Sequence, residues 1–366
     1  MNGSKNDAAP KGDLLRHHWP VALVIFVGLI FGAFGARSRD PQIPAARPEG
    51  WNVASEPGSV LAITFLDGIA WVGSKTGLHR LDPASGRYLG KVGAGEEVAH
   101  VRALLADTSG TLWIGHVNGL TRYEAARSRT FTQADGLPDK RVNALARDRT
   151  GRIWIGTANG LAYFEAGKIV LAPETTRLLS PIVNAIAEDQ AGGIWVASTS
   201  TPTGGVTVLN GGAGEQAFTL ARGLPHPYVN QLLVDHQGFV WAATGQLEEG
   251  GACQFRKGAK GWEVAATVSR ADGLPGAKVR SMFQDRDGDL WLGFENDGLA
   301  LRTARGITAF NESDGLPHKE VTCIVGGSAG ELWLGTLAGV LRIDPLAVKR
   351  MKQKVSKTLT NKTQAV

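Results

Sequence analysis

The stretch DGLPDKRVNALARDRTGRIWIGTANGLAYFE, residues 135–165, carries the signals that decide the fold. Val142 to Ala146 is a short run of apolar and small residues, the composition of an inner strand. Asp148-Arg149-Thr150-Gly151 reads as a tight turn, in which aspartate accepts backbone N–H groups and glycine allows positive φ. Ile153-Trp154-Ile155-Gly156-Thr157 is a second strand. Asn159-Gly160 then turns the chain into a third strand ending near Glu165, with room for a weaker fourth.

The unit recurs seven times. Trp71, Trp113, Trp154, Trp195, Trp241, Trp291 and Trp333 are spaced by 42, 41, 41, 46, 50 and 42 residues. A glycine precedes each by three positions (Gly68, Gly110, Gly151, Gly192, Gly238, Gly288, Gly330). A valine precedes six of them by twelve (Val101, Val142, Val183, Val229, Val279, Val321), and Val60 precedes the first by eleven. An aspartate lies six before five of them, at Asp107, Asp148, Asp189, Asp235 and Asp285. Chance does not hold that register. Four strands in about 42 residues is a propeller blade. A parallel solenoid has shorter coils, and the composition lacks the 3.6-residue periodicity of helical repeats. The expectation is an all-β fold, a seven-bladed β-propeller of four-stranded blades over 51–348. The seven tryptophans are read as core, since equivalent copies are architecture.

In four units a Gly-Leu-Pro begins eighteen residues before the tryptophan, at Gly136, Gly223, Gly273 and Gly315, and three of these have a preceding aspartate. The pattern D-G-L-P, V-x-A, D-x-x-G-x-hydrophobic-W-hydrophobic-G-T, G-L resembles the two-component regulator propeller repeat, over roughly residues 55–345. The resemblance implies the extracytoplasmic ligand-sensing part of a signalling protein, usually a hybrid histidine kinase. Two departures stop the transfer of kinase function: no signalling domain follows the repeats here, and the apolar segment precedes them.

That segment, Trp19 to Ala36, has no charged residue, and as a helix it spans about 27 Å, enough for a thin bilayer core. Lys5, Lys11 and Arg16 precede it, and Arg37 and Arg39 follow, so the positive-inside signal is weak. The alternative is a cleaved signal peptide, which Ala33 and Gly35 fit loosely. The expected order is a short cytoplasmic segment (1–18), a single-pass transmembrane helix (19–36), a linker (37–50), the propeller in the periplasm or outside the cell, and a basic disordered tail (349–366). The expected location is the inner (cytoplasmic) membrane.

The net charge of +5 belongs to the ends. Residues 51–348 hold 27 basic and 30 acidic residues, and no basic stripe is interleaved with aromatics, which argues against nucleic acid. Cys253 and Cys323 fall in units five and seven, too far apart to bridge. Trp51-Asn52-Val53 stands where the fourth strand of a preceding blade belongs, so residues 50–54 are expected to pair with 339–343 and close the ring.

Residues just before the inner strands should rim the central channel: His100, Arg141, Tyr228, Lys278 and Glu320, with His226 and His318 nearby. This mixed polar ring suits a carbohydrate-like or mixed-charge ligand. The loops between second and third strands are enlarged at Thr199 to Gly205 and Gly245 to Gly251, in adjacent units on the same face. Asp285-Arg286-Asp287-Gly288-Asp289 resembles the front of a calcium loop, but the twelfth position is Asn296 where a bidentate glutamate is needed. No zinc, P-loop or nucleophile-elbow motif is present, so no metal and no cofactor are expected. Three functions fit: a membrane-anchored sensor binding a small molecule, glycan or partner protein and signalling through a separate polypeptide; a protein-protein scaffold; or a polysaccharide lyase or hydrolase using rim residues as acid and base.

Overall fold

In a computed structural model the chain is described over residues 47–93, 98–124, 127–209 and 216–363, with side chains to 354. The expected N-terminal segment and membrane anchor fall outside the described residues. Among the described residues no helix is long and apolar enough to cross a membrane.

The strands form seven four-stranded antiparallel sheets, each an uninterrupted meander except the last. Blades 1 to 6 run from Val60 to Val92, Ala103 to Phe131, Val142 to Leu171, Val183 to Phe218, Val229 to Val268 and Val279 to Phe310. Blade 7 takes Val321–Gly326, Leu332–Thr336 and Gly339–Ile343 from the C-terminal end and Trp51–Ala54 from the N-terminal end. Trp51 pairs with Ile343, Asn52 with Arg342, Val53 with Leu341 and Ala54 with Val340, so the ring closes as the orphan strand suggested.

The repeated residues have separate tasks. Each tryptophan lies between neighbouring sheets: Trp113 of blade 2 packs 4.7 Å from Phe164 of blade 3, in a cluster with Val142, Ile153 and Ile155. In blades 2 to 6 the indole N–H is held by the turn aspartate, as in Trp154 Nε1 donating to Asp148 Oδ2 at 2.9 Å and Trp195 Nε1 to Asp189 Oδ2 at 2.9 Å, whereas Trp71 of blade 1 donates to the Leu66 carbonyl at 3.3 Å. The other oxygen of Asp148 accepts from the N–H groups of Thr150 and Arg152, so one side chain closes the turn and fixes the ring. The glycine two residues after the tryptophan, within the same strand, answers the valine of the next blade. A Cβ at Gly115 would lie 2.7 Å from Val142, and one at Gly335 2.8 Å from Val60. Blades 4 and 5 carry Ala197 and Ala243 there instead. Blade 7 replaces the turn aspartate by Gly327; the Glu331 carboxylate takes that space and accepts from the Ala329 N–H, leaving Trp333 Nε1 without an acceptor.

The C-terminal segment differs from the disordered tail expected from its charge. Pro345–Thr363 is an α-helix. Ala347, Val348 and Met351, at helical spacing, are buried against blades 6 and 7. Lys352 reaches Asp285, Asp287 and Asp289 at 2.7, 2.6 and 2.9 Å. Burial works against the lysine charge, but the three carboxylates outweigh it and hold its pKa above the ordinary value. A basic run therefore reads as a tail only until its apolar stripe and its acidic receptor are seen together. The calcium-like aspartates are the receptor, their oxygens within 4.8 Å of one another around the ammonium.

Candidate functional site

The face carrying the D-G-L-P loops is built from one repeated device. Gln133–Asp135, Arg270–Asp272 and Glu312–Asp314 form single 3-10 turns ending in left-handed glycines, Gly136, Gly273 and Gly315, with φ of 106°, 101° and 114°. The aspartate reaches back to the N–H that opens its turn, at 2.9 Å from Thr132 and Ser269 and 3.1 Å from Asn311. The following Leu137, Leu224, Leu274 and Leu316 are buried, which pins each loop to the core.

Two of the expected rim residues prove to be part of this scaffold. His226 Nδ1 accepts the Tyr228 N–H at 3.0 Å, and His318 Nδ1 accepts the Glu320 N–H at 2.9 Å. Asp139 does the same for Arg141 at 2.8 Å and Ser180 for Ile182 at 3.3 Å. The position is a loop cap, and histidine is one of several side chains that fill it. Burial, with Lys278 nearby, lowers the His226 pKa against the opposing pull of Glu249.

Tyr228, Lys278 and Glu320 are brought together. The Lys278 ammonium lies 5.8 Å from the centre of the Tyr228 ring and 2.7 Å from Glu295. Arg280 bridges Glu295 at 3.1 Å and Glu320 at 3.3 Å. This network spans blades 5, 6 and 7. Arg141 of blade 3 sits elsewhere on the ring, 3.5 Å from Asp139. His100 is exposed, with φ of 47°, and is not joined to the network.

Sequence reasoning missed Arg102, Arg280 and Glu295. Arg280 and Arg102 follow the repeated valine by one residue. In six blades the inner strand changes register at that place, between Val60 and Ala62, Val142 and Ala144, Val183 and Ala185, Val229 and Gln231, Val279 and Ser281, and Val321 and Cys323. The skipped residue is a β-bulge, which re-aims its side chain. In four blades it stitches to the valine carbonyl of the next: Asn143 to Val183 at 3.1 Å, Asn184 to Val229 at 3.4 Å, Asn230 to Val279 at 2.8 Å and Thr322 to Val60 at 2.8 Å. Arg280 and Arg102 break this pattern, and that departure was readable once the columns were aligned. Burial lowers the Arg102 pKa, with Arg280 and Arg141 pushing the same way and Tyr228 opposing them. By surface area Arg102 is exposed.

The two enlarged loops meet beside this mouth. Gly245 to Gly251 is an extension of a hairpin, with Gln246 paired to Glu249 and Leu247 at the tip 82% exposed. Thr201 donates to Gln246 at 3.2 Å, and Thr199 bridges to Tyr228. On the opposite face a hollow of about 890 Å³ lies beneath the C-terminal helix, lined by Phe65, Ile69, Phe283, Leu332 and Val348. Its chief charged groups are already engaged, Lys352 with three aspartates and Glu331 with a backbone cap. The loop-face mouth is the place where residues unique to single blades converge.

The repeat and its relatives agree with this architecture. Residues 136–159 and 273–296 match the family model described as two component regulator propeller. No curated protein matches the sequence. Among solved structures, the chain is similar to the extracellular domain of a putative hybrid two component system from B. thetaiotaomicron, with 21% identity and a TM-score of 0.70. That alignment covers 81% of this chain and 41% of the other, so the chain spans about two fifths of that domain. It is also similar to a catalytically inactive virginiamycin B lyase from Staphylococcus aureus bound to quinupristin (14% identity, 80% and 97% covered, TM-score 0.62). A third likeness is to PorZ, a surface component of the type-IX secretion system of Porphyromonas gingivalis (15% identity, 78% and 46% covered, TM-score 0.62). At these identities structural likeness speaks for the fold, and function is argued from the site. The chain thus carries two-component regulator propeller repeats within a ring of seven four-stranded blades.

Proposed function

We propose that the propeller is an extracytoplasmic recognition module that binds a small ligand at the loop-face mouth of its channel and reports through a separate protein. One observation carries this reading: Tyr228, Glu295 and Glu320, whose residue types occur at their repeat positions in one blade only, converge with Lys278 and Arg280 across three blades at that mouth. Architecture explains residues that repeat, whereas recognition needs residues that do not. Attachment to the inner membrane through 19–36 belongs to the same proposal and rests on the uncharged run alone. The seven rim positions named from the sequence divide accordingly. Arg141, Tyr228, Lys278 and Glu320 are candidate ligand contacts, His226 and His318 position the loops, and His100 stands on the outer rim.

A thermal-shift screen of the full-length chain against glycans and small metabolites, paired with affinity capture, tests the proposal. A ligand that raises the melting midpoint, and loses that effect in Tyr228→Ala and Glu295→Gln, is the expected result. No stabilising ligand, together with a captured partner whose binding ignores both substitutions, would sink it in favour of a scaffold. The scaffold reading has its own support in Leu247, 82% exposed at the tip of the extended hairpin on the same face.

A further inference from the structure

On the face opposite the mouth, two adjacent blades depart from the repeat at one corner, and a hollow lies there. The inner hairpin of blade 1 turns on Asp67-Gly68 alone, between the paired Leu66 and Ile69, where blade 3 uses Asp148 to Arg152 for the same turn. Blade 7 has Gly326 and Gly327 where blades 2 to 6 carry a side chain followed by the turn aspartate. The Phe283 ring of blade 6 lies over Gly326, so close that a Cβ there would clash with it. The C-terminal helix roofs the corner with Val348. The hollow measures about 890 Å³, within the range of about 300–1,000 Å³ that small-molecule sites occupy. Phe65, Ile69, Phe283, Leu332 and Val348 make its walls apolar. The polar groups around them are engaged with protein. Asp285 accepts from the Trp291 indole and the Lys352 ammonium, and Gln284 accepts the His236 N–H while donating to the Gly288 carbonyl. Arg286 donates to the Ser328 carbonyl at 2.6 Å, and Glu331 accepts from the Ala329 N–H at 2.9 Å. Asp67, His236 and Lys349 are exposed at the rim, where water solvates them.

We infer that this hollow is a second binding site, and that it takes an uncharged, largely apolar small molecule. Apolar surface gains by leaving water, so an apolar body is stabilised between these walls. A buried charge is costly unless a partner meets it, and the charged groups beside the walls are already engaged. The helix couples the site to the fold. Val348 is a wall of the hollow and also part of the cluster that docks the helix through Ala347 and Met351. An occupant touches the helix and the turns of blades 1, 6 and 7 together, and so stabilises the docked arrangement. The site lies on the opposite face from the mouth and is independent of it.

The test uses the full-length chain in one mild detergent and two photoreactive probes of the same skeleton, neutral benzophenone and anionic 4-benzoylbenzoate. Labelled peptides are mapped by mass spectrometry, so probe taken up by detergent does not enter the reading. Benzophenone is expected to label residues 65–69, 283–291 or 345–352 saturably, and 4-benzoylbenzoate to label them at least about tenfold more weakly. Ile69→Trp, which fills the hollow, should abolish this labelling, while Tyr228→Ala on the loop face leaves it unchanged. Ser328→Trp narrows the same hollow from an exposed turn tip and serves in its place if Ile69→Trp folds poorly. At about ten times the half-saturating concentration of benzophenone, hydrogen exchange over 345–354 should slow by about tenfold. Labelling that does not saturate, that survives both tryptophan substitutions, or that falls instead on the exposed Leu247 overturns the site. Equal labelling by the two probes overturns the uncharged class. Unlabelled peptides around the hollow overturn the inference and leave that corner to a larger occupant, such as an apolar segment of a partner protein.

Discussion

At the residue scale, the repeat makes each departure informative. His116 occupies the position held by Thr157, Thr244 and Thr336, where the hydroxyl donates to a carbonyl in the following turn, as Thr157 does to Gly160 at 2.8 Å. The imidazole is fully buried, bonded to Thr121 at 3.0 Å, and burial pushes its pKa from 6.5 down to about 4. Between those values the unfolded chain binds a proton that the folded chain excludes. Stability is therefore complete above pH 6.5, falls as pH drops through that window, and levels off below it, losing at most about 3 kcal/mol to this group. His116→Thr is expected to flatten the slope between pH 6.5 and 4 in urea unfolding, with a cost at neutral pH below about 2 kcal/mol. An unchanged slope would assign the acid sensitivity to other groups. The residues of the mouth were half legible in the same way. Counting back one from the valine found Arg141, Tyr228, Lys278 and Glu320, but Arg280 lies one after it, in a bulge that no local signal announces.

At the element scale, strands were easier to read than the ends and insertions. The turn aspartates and glycines act within a few residues, so D-x-x-G and N-G mark strand boundaries directly. The enlarged Gly245 to Gly251 segment was expected as a loop and is instead a longer hairpin, because Gly245, Gly250 and Gly251 let its strands pack closely against Ala277, Lys278 and Val268. The C-terminal helix depends on contacts far away in sequence. Lys352 binds three aspartates of blade 6, and Arg350 donates to the Glu49 carbonyl at 2.6 Å. Lys352→Ala should leave those carboxylates facing one another and cost the docked helix about 1–3 kcal/mol. Hydrogen exchange should quicken over 345–354 while the strands of blades 2 to 4 keep their protection. Unchanged exchange over that helix would place its anchorage in Val348 and Met351 alone.

At the scale of the whole molecule, stability rests on a closed ring. Trp51 pairs with Ile343 and is buried in one cluster with Phe310, Leu316, Leu341 and Met351, so a single N-terminal strand joins blade 7 to blade 6 and to the helix. Trp51→Ala is expected to cost about 3–5 kcal/mol, the range for a large buried aromatic. It should also free the edge of Gly339–Ile343, and exposed edges pair with other chains. Urea unfolding reads the first effect and light scattering at raised temperature the second. A variant that loses stability without associating would show that the edge stays covered.

The sequence by itself determined the repeat, the blade count, the seven inter-blade tryptophans and the closing strand. Each of these rests on spacing along the chain or on turn chemistry confined to a few residues, and such signals survive without tertiary context. Only the tertiary structure decided that the basic C-terminal run is a docked helix, that His226 and His318 spend a ring nitrogen on capping their own loops, and that Lys278 and Arg280 share Glu295. The helix and the Arg280–Glu320 pair depend on groups 40 or more residues apart meeting in space, as Lys352 and Asp287 do at a separation of 65, and the histidine caps depend on a loop conformation that the tertiary fold sets. Charge and hydrogen bonding act through space, and a linear pattern shows which groups are available but not which of them face one another.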